Sequence, residues 1–295
     1  MNLWTHKYAL LLRRELWEHK SLWIAPVAVG VALLVMTALG AVNMGHGDNV
    51  RIVIEDSQVP PAMMQAMFGR FAMLTAAALV GGVACIAIIS YLLDCLYAER
   101  KDRSIHFWKS LPVGDAESVL AKAFVALALV PLLVLLTCAV VHPLMTAIAA
   151  IFHPRARGLI GIEALLGGYH QLGVLTLGWV FAALWYAPVA AWLMLASVLA
   201  RRAPLMYAVV PVLAATVVEA MMFDSRHLSS LVGRRLFPWR SGDWVLADAP
   251  GPAGVGLGAP DWSALYSSMS LWSGLAAAAV MVYIVIRLRR YRDDT

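Results

Sequence analysis

Residues 97–123 read YAERKDRSIHFWKSLPVGDAESVLAKA, a polar interruption between two long apolar runs, and the organisation of the chain turns on it. It mixes both charge signs with Ile105, Phe107, Trp108 and Leu111, then stops at Leu111-Pro112. Glu99 and Arg103 form an i, i+4 ion pair in the favourable order. Ile105, Trp108 and Leu111 share one helical face. Pro112-Val113-Gly114 ends the element, since proline lacks the amide donor and glycine favours a turn. Asp115 is placed to cap the following helix, with Glu117 in its first turn, where acidic groups meet unsatisfied amides. The spacing predicts a short, rigid amphipathic helix over 97–112, offering charges and aromatic anchors to a soluble partner. Composition alone leaves open a helix that only lies on lipid.

The flanking composition says what kind of chain this is. Of its 295 residues, 61% are hydrophobic and 14% charged, and the mean hydropathy is +0.75. Soluble domains carry about 25% charged residues, so the reading is a polytopic membrane protein, and no long stretch has a soluble composition. The net charge of +5 and pI near 9.2 read as the excess of Lys and Arg on the cytoplasmic side of membrane proteins rather than as a nucleic-acid footprint. Cys85, Cys95 and Cys138 lie within or beside apolar runs with no metal-ligand spacing, and read as small hydrophobes. A cleavable signal is not expected. Lys7, Arg13, Arg14, Glu15, Glu18 and Lys20 precede a first apolar run that is longer than the ~7–15 residues of a signal core.

Six runs are long enough to span a bilayer, which takes about 20 residues: 22–42, 71–93, 119–151, 172–200, 205–223 and 266–286. The third and fourth exceed the minimum. Pro131, Pro143, Pro188 and Pro211 fall inside spans, where each removes a backbone donor and kinks its helix. Residues 1–20 are amphipathic, with Trp4, Tyr8, Leu11 and Leu12 on one stripe and Arg13, Arg14 and other basic residues mostly off it. That pattern fits an interfacial helix on anionic lipid. Residues 62–74, AMMQAMFGRFAML after Pro60-Pro61, are set to begin a helix that runs into the second span. Residues 224–265 form the longest outer loop, and its Gly/Pro-rich part argues for irregular structure. Of the 23 Lys and Arg, 15 lie on the side of the termini, residues 94–122 and 201–202. The expectation is one all-α transmembrane domain over 1–295, multi-pass in the plasma (inner) membrane, with both termini and the 97–112 element cytoplasmic.

Catalytic chemistry is sparse. The chain has no G-x-x-x-x-G-K-[ST], G-x-S-x-G or H-E-x-x-H, and no paired carboxylates placed for acid–base work. His142, His153 and His170 are dispersed and read as packed or interfacial rather than as a metal set. No catalytic, cofactor-binding or metal-ligating residue is assigned, and the chain is not expected to be an enzyme. Glu219, near the outer end of the fifth span, is the intramembrane candidate. It either faces a cavity or gate or, as the preferred reading, pairs with Arg226 or another outer base. Asp94 is expected to meet water or a neighbouring base.

The run from Glu99 to Ile105, continued through Phe107-Trp108-Lys109-Ser110-Leu111-Pro112-Val113, resembles the cytoplasmic signature of type-2 ABC exporter permeases. That pattern is roughly E-R-x-D-x-S-x-x-F-x-x-S-L-P, then an acidic or small cap and a Lys on the next span, matched here by Asp115, Glu117 and Lys122. The six-span layout agrees, though many membrane families share it. The resemblance implies that 97–112 is a coupling helix docked on a separate nucleotide-binding ATPase subunit. Glu99, Arg100, Asp102, Arg103, Ser104, Phe107, Trp108, Lys109, Leu111 and Pro112 would then make the contact, and Glu99 would also lock the segment to the basic N-terminus. It further implies that residues 1–20 are a connecting helix, with Trp4, Tyr8, Arg13 and Arg14 at the interface. Two permease copies or paralogues would pair as a dimer, with ATP and Mg on the partner subunit and none bound by this chain. A helical hairpin before the last span is common in that family; 224–265 is long enough for one, but its Gly/Pro-rich part departs from the pattern.

The function that follows is export of an amphipathic or lipidic substrate such as a peptide, drug or lipid-linked molecule, driven by ATP. Two other classes stand beside it: a membrane scaffold or sensor subunit of ABC type that signals without moving a solute, and an integral-membrane enzyme acting on lipid. Transport by the reconstituted complex separates the first two. Turnover without an ATPase subunit would mark the third.

Overall fold

The computed structural model describes residues 3–43, 60–102, 113–152, 158–238 and 261–291. All regular structure in them is helical: α1 (Leu3–Glu18), α2 (Ser21–Asn43), α3 (Pro61–Asp94), α4 (Tyr97–Lys101), α5 (Asp115–Phe124), α6 (Val130–Phe152), α7 (Ile162–Leu199), α8 (Pro204–Phe223), α9 (His227–Leu236), α10 (Trp262–Ser267) and α11 (Met269–Tyr291). A π-helical stretch, Val125–Leu129, joins α5 to α6. Six helical stretches are long and apolar enough to cross a membrane: α2, α3 with α4, α5 with α6, α7, α8 and α11. The chain is therefore a multi-pass membrane protein by length and composition.

Two spans begin earlier than hydropathy indicates. The second starts at Pro61, not residue 71, because Pro61 opens the helix where its missing amide costs nothing. The fourth starts at Ile162, not residue 172. At 1.5 Å per residue, the 38 residues of α7 extend about 57 Å, well beyond a hydrocarbon core of about 30 Å. Its first turns carry Glu163 and Gln171, ahead of the more apolar remainder. The helix over 115–124 also starts differently from expectation. Its cap is Gly114 rather than Asp115, and the Glu117 carboxylate reaches back to accept the Gly114 amide at 3.0 Å. Asp115 instead opens the first turn and faces Arg289.

Helices α3 and α7 pack most extensively, with α6 and α2 on one side and α11 on the other. Where the first turns of the two helices cross, Gly69 abuts the Ala164 carbonyl and Gly167 abuts the Ala66 carbonyl, with no room for a β-carbon at either. Span α8 sits at the periphery and is barely buried. It is bracketed by left-handed residues, Ala203 (φ 36°) and Asp224 (φ 43°), which make its two reversals sharp.

Proline in a span frees a carbonyl that must find another donor, because the bilayer supplies none. The carbonyl four residues before Pro131 is that of Leu127, and the Trp179 indole donates to it at 3.0 Å. The one before Pro143 is that of Ala139, and the Tyr169 hydroxyl donates to it at 3.0 Å. Near Pro211, the Trp192 indole donates to the Ala208 carbonyl at 3.0 Å. All three donors lie on α7, and two of them meet the carbonyls that Pro131 and Pro143 free. Pro188 lies within α7 itself.

The largest apolar core lies towards the end that carries both chain termini. Leu22, Tyr91, Leu92, Val119, Val125, Met194 and Val285 are buried in it, drawn from six different helical segments. Directly against it sits a cluster of charges.

Candidate functional site

Lys122 lies on α5 two turns from its start, with its side chain 0% exposed. Its ammonium donates to Glu15 at 2.8 Å (Oε1) and 2.9 Å (Oε2), and lies 3.1 Å from Glu99 Oε1. An ammonium has three donors, so Lys122 is saturated. Glu15 comes from α1, 3% exposed, and also accepts the Tyr91 hydroxyl of α3 at 2.8 Å. Glu99, on α4 and 5% exposed, further meets Arg14 of α1 at 3.4 Å and Arg289 of α11 at 3.0 Å. Arg289 reaches on towards Asp115 at 3.7 Å. A charge out of water is tolerated only when paired and hydrogen-bonded, and each of these has several partners. One cluster therefore joins α1, α3, α4, α5 and α11 at a single end of the bundle.

A second layer surrounds it. Lys7 pairs with Glu117, and the Tyr8 hydroxyl donates to the same carboxylate at 3.3 Å, so the first turns of α1 are held against α5. Arg14 donates to Glu18 at 2.8 Å. The Arg100 guanidinium donates to the Ser197 and Ala200 carbonyls at 2.8 Å each, satisfying the open end of α7. Ser197 in turn accepts the Leu96 and Tyr97 amides at 3.2 and 3.0 Å, which fixes where α4 leaves the second span.

The cluster holds its own protonation state. Burial pushes the Glu15 carboxyl up, but the Lys122 charge, the hydrogen bonds from Lys122 and Tyr91, and Arg14 together bring it below its ordinary value. His19, edge-on to Tyr91 at 4.8 Å, is pushed down by burial and by Lys122, against the weaker pull of Glu15 and Asp94. Glu15, Glu18 and His19 are the one metal-sized group among the described residues. Lys122 already occupies the cation position between the Glu15 oxygens, so these residues read as an ion-pair network.

The expected site residues fall into three groups. Tyr8, Arg14, Glu99 and Arg100 are brought together at the cluster, with Glu99 and Arg100 turned into the bundle. Arg13 instead stacks over Trp17 at 4.4 Å on the outer face of α1, and Asp102 is exposed. Arg103, Ser104, Phe107, Trp108, Lys109, Leu111 and Pro112 lie outside the described residues, as do His153 and the side chain of Trp4. Glu219 is far from the cluster. It accepts the Ser225 hydroxyl at 2.9 Å and the Leu228 amide at 2.9 and 3.1 Å, capping the N-terminus of α9 in place of pairing with Arg226. Asp94 is exposed.

Sequence reasoning did not bring out Glu15, Tyr91, Ser197 and Arg289 as a set. The available signal was Lys122 itself, a cation inside an apolar run with no acidic residue within one turn after it, which demands a partner from elsewhere in the chain. At the other end of the bundle, α9 falls within 224–265, where the resemblance left a helical hairpin open. Its Arg235 stacks over Trp185 at 4.5 Å and donates to the Ser270 carbonyl, while the Trp185 indole donates to the Arg235 carbonyl at 3.2 Å. Together with α10, this makes part of 224–265 helical; residues 239–260 lie outside the described set.

No family model, curated protein or solved structure matches this chain.

Proposed function

We propose that the chain is the membrane-spanning permease subunit of an ATP-driven exporter of the type-2 ABC kind. It works as a dimer with a second permease and with a separate ATPase subunit that carries ATP and Mg. One observation carries the reading: the segment bearing the E-R-x-D-x-S signature is rooted, through Glu99, in a buried charge cluster shared by α1, α5 and α11. A push on that segment would not be absorbed by a slack loop. Lys122 would pass it to the third span, Arg289 to the sixth, and Arg14 to the interfacial helix.

In this mechanism the termini and residues 97–112 face the cytoplasm of the plasma (inner) membrane, in keeping with the distribution of Lys and Arg. ATP closes the ATPase dimer, which presses on the segment. Arg103 and Lys109 meet acidic groups on the ATPase, and Phe107 and Trp108 fill a pocket as anchors. Glu99 and Arg100 hold the segment's root at a fixed angle, so that motion reaches the spans rather than bending α4. The exported molecule is amphipathic or lipidic, in line with the apolar lining available to it.

The test begins with affinity capture of the chain from its native membrane and mass spectrometry of what comes with it. An ATPase subunit is the expected companion. In the reconstituted complex, Trp108→Ala and Arg103→Glu abolish substrate-stimulated ATPase activity while membrane insertion is retained. Normal stimulation in both variants overturns the coupling role. A complex with an ATPase that moves no solute points to the sensor reading instead.

A further inference from the structure

A groove of about 380 Å³ opens sideways from the bundle between α5, the π-helical stretch, α7 and α11. That volume lies within the ~300–1,000 Å³ of ligand-sized clefts. Leu120, Leu127, Ala190, Ala279, Val282 and Tyr283 line it, and apart from the Tyr283 hydroxyl the walls are apolar. The helix turn that aims Lys122 into the charge cluster aims Leu120, 55% exposed, the other way, into this groove. The groove therefore starts at the level of the cluster. At 1.5 Å per residue it runs about 10 Å inward along the third span, from Leu120 to Leu127, and about as far along α11.

The mouth is basic. Arg287, one residue beyond the lining residue Ile286, is exposed, and its guanidinium lies over the Tyr283 ring at 5.7 Å and the Tyr291 ring at 5.5 Å. No carboxylate among the described residues pairs with it. The Tyr283 and Tyr291 rings flank the guanidinium beside the groove, and its donors, exposed and without a carboxylate among the described residues, suit a phosphate. A second copy of the chain fits this rim poorly. A two-fold contact reuses one patch on both subunits, and would bring another exposed arginine to it.

We propose that this groove is a binding site for an anionic phospholipid: one acyl chain lies along Leu120, Ala279 and Val282, and the phosphate is held by Arg287. This is a bound lipid at the charged end of the bundle, and it stands independently of the export reading. Because the chain touches α5 and α11 together, its presence stiffens the two spans that Lys122 and Arg289 anchor.

The full-length protein in phosphatidylcholine nanodiscs tests it, using phosphatidylglycerol or phosphatidylcholine with a photoactivatable group in the acyl chain. The crosslinked peptides are then mapped. Phosphatidylglycerol is expected to label residues 120–127 and 278–286 well above the other spans. Arg287→Gln lowers that labelling about five-fold, as expected from the ~1 kcal/mol attraction of one basic residue to an anionic headgroup, and leaves phosphatidylcholine labelling unchanged. Ala279→Phe, at an exposed position that lines the groove, fills it and removes labelling by both lipids. Equal labelling by the two lipids, labelling spread evenly over all spans, or indifference to both variants overturns the site. So does efficient disulfide crosslinking of Ala279→Cys between two copies, since a second chain would then be the occupant.

Discussion

Replacing Lys122 with methionine keeps an unbranched side chain one atom shorter and removes its charge. The ammonium contacts three carboxylate oxygens between 2.8 and 3.1 Å in a site with no solvent exposure. Removing one member of a buried ion pair costs about 3–5 kcal/mol, because the other charge stays behind uncompensated. The two acids do not suffer equally. Glu99 keeps Arg14 and Arg289, whereas Glu15 keeps only Tyr91 and a nearby Arg14. The penalty therefore falls on the docking of α1, and we expect the lower end, about 3 kcal/mol, or a population shift of more than a hundred-fold. Amide hydrogen exchange in detergent or nanodiscs reads it directly: residues 3–18 lose protection by about two orders of magnitude in Lys122→Met, while α6 and the centre of α7 keep theirs. The double variant Glu15→Gln, Lys122→Met removes both charges and recovers most of the protection, since neutral groups of similar volume replace buried pairs at little loss. Unchanged protection of α1 in the single variant, or a double variant worse than the single, refutes the claim that this pair holds α1 in place.

The remaining predictions concern pH, backbone repair and packing. Protonation should release α1. His19 is pushed down, so its neutral form supports docking fully above about pH 6.5 and progressively less below it; Glu15 is also lowered, so its share is intact above about pH 4.3 and lost as acid protonates it. Protease accessibility of residues 3–18 should therefore rise in two stages as pH falls; a flat profile from pH 7 to 4.5 would contradict the His19 direction, and no further rise below pH 4 that of Glu15. Trp179→Phe strips the Leu127 carbonyl of its donor beside Pro131 and should cost about 1–2 kcal/mol, read as a lower melting temperature in detergent; a variant as stable as the parent would mean that water or lipid headgroups repair the kink instead. Gly69→Ala places a methyl against the Ala164 carbonyl and forces α3 from α7, a strain of about 1–3 kcal/mol, again visible in the melting temperature, with no loss expected at Gly82, where a β-carbon meets nothing.

Much of this protein could be read without its structure, for a local reason. A membrane span is a run of consecutive apolar residues, and consecutive residues are what a sequence displays. Each of the six observed spans overlaps a run read by hydropathy, from 22–42 within Ser21–Asn43 to 266–286 against Met269–Tyr291. The first turns of α3 were legible as a helix start after Pro60-Pro61, whereas those of α7, with Glu163, His170 and Gln171, are too polar to join a hydropathy run. The tight turns on either side of α8 could not be foreseen either, since Ala203 and Asp224 do not advertise left-handed backbone as glycine would.

The residue types of the candidate site were visible as separate charges at helix ends, but their assembly was not. Glu15 and Lys122 lie 107 positions apart, and Arg100 is 97 from the Ser197 carbonyl that it holds. No periodicity links residues at such separations; only antiparallel packing of the spans, which returns the chain to the same end again and again, makes them neighbours. The same holds for Trp179 and Tyr169, whose partners are carbonyls that prolines free on another helix. By itself, the sequence of residues 97–123 established an amphipathic, charged element between two spans and the resemblance that element carries. Tertiary structure decided that its first turn is bolted inside the bundle through Glu99 and Arg100, because a carboxylate and a guanidinium beside an apolar core must be met by opposite charge or open carbonyls, and the packed helix ends supply both.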